Sequence, residues 1–171
     1  VFSASLWLIG GWVVICGWFD ATQRRLPNLL TLGALLPAVM VLLISGQGAL
    51  GASWFSCLSA WGVAIILTLP AYAMKWLGAG DVKLLAAIGL LCGLPVLLFC
   101  FAIAGLLAGT LVLAWKSAEY LVPYLNLYLA RFQLSVPPAP VMQGRMLPFG
   151  SLLAIGLVSS LLLNVHRGIG L

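Results

Sequence analysis

Three acidic residues occur in this 171-residue chain, and two of them, Asp20 and Asp81, stand where long apolar runs meet short basic connections. A carboxylate at the edge of a membrane helix costs free energy unless it is solvated, paired or used. Two carboxylates brought close together hold one proton between them, because like charges repel. One then serves as general base toward a water, and the other, protonated, as general acid toward a scissile carbonyl and its leaving amine. That is the chemistry of an aspartic peptidase, and its apparent ionisations belong to the pair. It needs no metal, no cofactor and no nucleophilic Ser or Cys. Gly78 and Gly80, just ahead of Asp81, permit close backbone approach at a helix N-terminus, where an extended substrate can meet the acid.

The elements that must position these acids lie in a membrane. Hydrophobic residues make up 64% of the chain and charged residues 6%, with a mean hydropathy of +1.20. Apolar runs of spanning length recur, so the expected fold is an all-α integral membrane protein of about six transmembrane helices, one domain over residues 1–171. The runs predict helices over 2–19, 27–45, 52–74, 81–91, 96–115 and 148–165, separated by Gly- or Pro-containing breaks. Residues 1–19 lack a basic start and a small-residue cleavage site, so no cleavable signal is expected, and the chain does not open with Met.

Charge gives an orientation. Arg24, Arg25, Lys75, Lys83, Lys116, Arg131 and Arg145 all fall in or beside connections on one face, which the positive-inside rule makes cytoplasmic. Asp20 closes a helix descending to that face and Asp81 opens one rising from it, so two intervening spans return the acids to one depth. The net charge of +5 is spread singly or in one pair, without the basic stripe that a nucleic-acid partner requires. The lipid bilayer is the expected environment.

Other reactive residues point to packing. Cys16, Cys57, Cys92 and Cys100 lie in or beside apolar stretches with no CxxC pair, and His166 is the one histidine, so no metal set is expected. Between Lys116 and Arg145, Tyr120, Tyr124, Tyr128 and Phe132 recur every four residues, which predicts an interfacial helix on the cytoplasmic surface, bent at Pro123. Residues 136–140 read as a polyproline-like spacer. Each acid also has a plainer reading. Asp20 can be a solvated helix-end carboxylate pairing with Arg24, and Asp81 an N-terminal acid that complements its own helix dipole. Lys83 reads as a topology anchor, with recognition of a substrate carboxylate as a lesser role.

Gly78-Ala79-Gly80-Asp81-Val82-Lys83-Leu84 resembles the GxGD-V-K-L motif of bacterial type IV prepilin peptidases. Asp20 followed by Arg25-Leu26-Pro27-Asn28 is similar to that family's first motif, and Arg145 to Gly150, with Pro148, is similar to the basic, Pro-containing start of its last helix. The resemblance implies Asp20 and Asp81 as the catalytic pair, with Gly78, Gly80, Lys83, Arg25, Pro27, Asn28 and Pro148 as supporting positions. It implies an endopeptidase of the bacterial inner membrane that cuts the leader of a prepilin or pseudopilin after a Gly at the cytoplasmic border. The paired CxxC insert of the larger, N-methylating members is missing, so the chain resembles the compact peptidase-only branch that serves tight-adherence (Flp-type) pili. Archaeal preflagellin peptidases share dyad and size. Presenilin-type proteases share GxGD but carry a PAL motif that Leu147-Pro148-Phe149 does not supply. A small cation-coupled carrier and a non-enzymatic pilus-assembly subunit are the alternatives from other classes.

Overall fold

The computed structural model describes residues 2–23, 26–129, 137 and 148–167. Six helices follow one another: α1 (Phe2–Gln23), α2 (Asn28–Ser45), α3 (Trp54–Ala73), α4 (Ala79–Cys92), α5 (Leu94–Leu129) and α6 (Phe149–Arg167). Among the described residues there is no strand, and α1, α2, α3 and α5 are long and apolar enough to cross a bilayer. The chain is an all-α membrane protein. In α6 the apolar stretch is shorter, Phe149–Leu163.

The helix ends follow from local chemistry. Pro27, in extended geometry, precedes α2, where its fixed φ suits the entry and its missing N–H is no loss. Gly46 closes α2 in the left-handed region and returns its N–H to the Leu42 carbonyl. The Ser53 side chain accepts from the Ser56 N–H to begin α3. At the other end of α3, Lys75 takes a left-handed φ of 60° while Lys75 and Trp76 donate back to the carbonyls of Tyr72 and Ala71. That turn aims the chain into 76–78 and the start of α4.

α4 is the centre of the bundle. At 14 residues it is about 21 Å long, shorter than a bilayer core of about 30 Å, yet nine of its residues are buried. It packs against α3, α2, α5 and α6, whereas α1 packs chiefly on α6. Lipid is as apolar as Leu, so close fit and interhelical hydrogen bonds hold such a bundle together. The Cys100 thiol donates to the Leu153 carbonyl at 3.3 Å, joining α5 to α6. The Trp12 indole N–H donates to the Leu30 carbonyl at 3.0 Å, joining α1 to α2. All four cysteines are buried thiols.

Most boundaries fall within two residues of the sequence reading, and three of the shifts bear on the acids or the tyrosines. α1 continues three residues beyond Asp20, and α4 begins two residues before Asp81, which sets both acids inside helical turns. α5 does not stop near Trp115: it runs 36 residues, roughly 54 Å, through Lys116 and Pro123. The tyrosine-bearing segment is thus the continuation of α5 and not a separate helix. Tyr120, Tyr124 and Tyr128 are exposed along it. Phe132 and the 136–140 spacer, apart from residue 137, lie outside the described residues.

Candidate active site

Of the three acids, Glu119 is exposed on α5, where its carboxylate accepts from the Trp115 indole one turn back at 3.1 Å. Asp20 and Asp81 are both 0% exposed. Burial removes the plain reading of Asp20 as a solvated helix-end carboxylate, since a buried charge must be compensated by the protein itself.

Asp81 is held by its own helix. It occupies the third position of α4, and its Oδ2 accepts from the Gly78 N–H at 3.1 Å. Gly78 precedes the helix with an ordinary extended backbone (φ −87°), so the carboxylate half of a capping box is present without any unusual dihedral. The sequence reading of Asp81 as an acid that complements its helix dipole therefore describes its setting.

Asp20 is held by another helix. Its Oδ2 accepts from the Ser151 N–H at 3.1 Å, a group of the first turn of α6 that also faces the Pro148 carbonyl. The Ser151 hydroxyl donates to the Gly17 carbonyl at 2.9 Å, one turn ahead of Asp20. A carboxylate from α1 thus sits at the positive end of the α6 dipole. Gly150 makes the seat possible: a Cβ there would lie 2.9 Å from Asp20 Oδ2 and 3.0 Å from its Cγ.

The two acid-bearing segments meet through the link between α1 and α2. Leu26 is buried, and its Cβ lies 2.8 Å from where a Cβ on Gly80 would be. Its Cδ1 lies 3.1 Å from where a Cβ on Gly150 would be. Beside it the Lys83 ammonium donates to Asn28 Oδ1 at 3.0 Å. Gly80 therefore makes room for Leu26, a protein side chain, where the sequence reading reserved the space for substrate. Lys83 engages Asn28, a partner that the sequence reading of Lys83 as anchor or substrate-binding group does not contain.

Pro27 and Pro148 stand one residue ahead of α2 and α6, where the sequence reading had them open those helices, and Asn28 is the first residue of α2. Arg25, with Arg24 and Arg145, lies outside the described residues. Leu26, Gly150 and Ser151 were missed as site residues. The first two sit inside the quoted motifs, which is the only sequence signal they carry. A groove of about 420 Å³ runs between α1 and α6, lined by Gly17, Ala21, Ser151 and Ala154 among others, and so opens beside the Ser151 that holds Asp20.

Residues 7–113 match the model of the type IV leader peptidase family. The matched span contains both aspartates and their flanking motifs but ends before α6. No curated protein and no solved structure matches the chain. A match over well more than half the chain, on a bundle of apolar helices, settles the affiliation: this membrane protein belongs to the type IV leader peptidase family.

Proposed function

We propose that the protein is a membrane aspartic endopeptidase with Asp20 and Asp81 as its catalytic pair. Its substrates are type IV prepilin-like proteins, cut after a Gly where their hydrophobic segment meets the cytoplasmic border of the bacterial inner membrane. What carries this reading is the burial of both acids at helix N-termini that Leu26 ties together, within the span that matches the family. Lys75 and Lys83 flank the start of α4, which supports a cytoplasmic site under the positive-inside rule.

In the reaction one carboxylate takes a proton from water as its oxygen adds to the Gly carbonyl carbon. The protonated partner gives its proton to the carbonyl oxygen. Collapse breaks the C–N bond as one hydroxyl of the gem-diol returns its proton to the partner carboxylate and the leaving amine takes the proton that the base received. Each carboxylate accepts from a backbone N–H at a helix N-terminus, which orients it without a metal. The groove between α1 and α6 gives an apolar substrate segment a path to the Asp20 side. Peptidase action without N-methylation follows from the missing CxxC insert. The archaeal preflagellin-type reading shares every step.

Reconstitution in vesicles with a leader-type substrate, a basic leader ending in Gly ahead of an apolar segment, tests the proposal by sequencing of the new N-terminus. Cleavage after the Gly is expected, reduced by at least about 10³-fold in Asp20→Asn and in Asp81→Asn. Cleavage at the parent rate in either variant sinks the catalytic assignment and moves the carrier or assembly-subunit readings ahead.

A further inference from the structure

Residues 26–28 are clamped to residues 80–83 at two points, and one of those residues also reaches the Asp20 seat. Leu26 Cβ fills the space beside Gly80, directly before Asp81. Leu26 Cδ1 and the Asp20 carboxylate together fill the space beside Gly150. Two residues on, Asn28 is fixed to Lys83. A change in the position of Leu26 is therefore felt on both sides, at the turn that presents Asp81 and at the glycine on which Asp20 rests. The packing leaves little slack, because each of these distances is shorter than an ordinary carbon–carbon contact of about 3.5 to 4 Å would allow were a Cβ present.

We infer that Leu26, braced by the Asn28–Lys83 hydrogen bond, is a positioning element that sets the spacing of Asp20 and Asp81. This rests on the catalytic reading of the two acids proposed above. Leu26 touches neither water nor the scissile bond in this role. It acts through the backbone at Gly80 and the carboxylate beside Gly150. Productive geometry in a two-acid site is sensitive to displacements of an ångström, which can lower a rate by about 100-fold. A wedge between the segments is the direct way to hold that geometry in a fold where α1 and α4 each pack mainly on other helices.

The test separates turnover from binding in the vesicle assay with the leader-type peptide. Leu26→Ala keeps the closest contact, the Cβ against Gly80, and removes the Cγ and Cδ1 beside Gly80 together with the Cδ1 against Gly150, so it loosens the link on both sides and leaves the Asp20 side with no Leu26 contact at Gly150. The expected result is a kcat about 10- to 100-fold lower with KM within about threefold, recovered to within about threefold by the volume-conserving Leu26→Met. The exposed Asn28–Lys83 pair gives a second arm that spares the core. Asn28→Lys and Lys83→Asn each lower kcat, and the double exchange restores it by remaking the bond with donor and acceptor swapped. A folded Leu26→Ala with unchanged kcat, or with a raised KM alone, overturns the inference. So does a double exchange no better than its worse single variant, the result expected if Lys83 binds substrate directly. Should Leu26→Ala fail to fold, the exchange decides. Asp20→Asn run in parallel keeps the two claims apart: if it retains cleavage, the catalytic reading falls and the positioning role with it. If it is inactive while Leu26→Ala and both Asn28–Lys83 singles are fully active, only the positioning role falls.

Discussion

Asp81 and Asp20 end in the same kind of setting by opposite routes. Asp81 accepts from a backbone N–H three residues away, at the start of the helix that carries it. Asp20 accepts from a backbone N–H 131 residues away, at the start of a helix that packs beside its own. The first arrangement is secured by local chain geometry and forms when α4 forms. The second exists only when α1 and α6 are docked, so the integrity of the site depends on tertiary packing on one side and much less on the other.

That asymmetry can be broken by single substitutions. Gly150→Ala has the largest expected effect short of removing an acid, because its Cβ would meet Asp20 Oδ2 at 2.9 Å and Leu26 Cδ1 at 3.1 Å. A fall of about 100-fold in kcat is expected in the vesicle assay. Gly80→Ala should lower kcat less, about 10-fold, since its Cβ meets the Leu26 Cβ at 2.8 Å and no carboxylate, so the acids are displaced only through a movement of the Leu26 backbone. Equal effects would show that the two sides are equally dependent on docking. Ser151→Ala keeps the backbone N–H that Asp20 uses and removes the hydroxyl bond to Gly17. It should cost about 1 kcal/mol in a detergent unfolding series, with cleavage within a few-fold of the parent. Lys75→Gly sharpens the local side. Lys75 holds a left-handed φ of 60°, where a side chain is disfavoured by about 1 kcal/mol, so the variant should gain up to that amount in the same unfolding series.

The legibility of the sequence follows the same division. The six apolar helical segments were readable because hydropathy is a property of the chain. Asp81 was readable in more detail, since GxGD followed by an apolar run is a local helix start. The Asp20 seat was not, because nothing near residue 20 announces Ser151 or Gly150. Gly80 was noticed for the right reason, close approach, with the wrong neighbour: the residue that needs the room is Leu26, in a motif already in view. The break expected near Lys116 failed on physical grounds. A proline in a helix removes one hydrogen bond and crowds the carbonyl four residues back, but on an exposed stretch solvent or headgroups satisfy the freed group, and α5 passes through Pro123.

The most direct test of the account is a double-mutant cycle on cleavage of the leader-type substrate, with Asp20→Asn, Asp81→Asn and the pair together, each checked for folding. Two acids that share one proton act as a unit, so all three variants should fall to the same low rate, the double no worse than either single. Losses that multiply, or substantial cleavage by either single variant, would contradict a catalytic dyad.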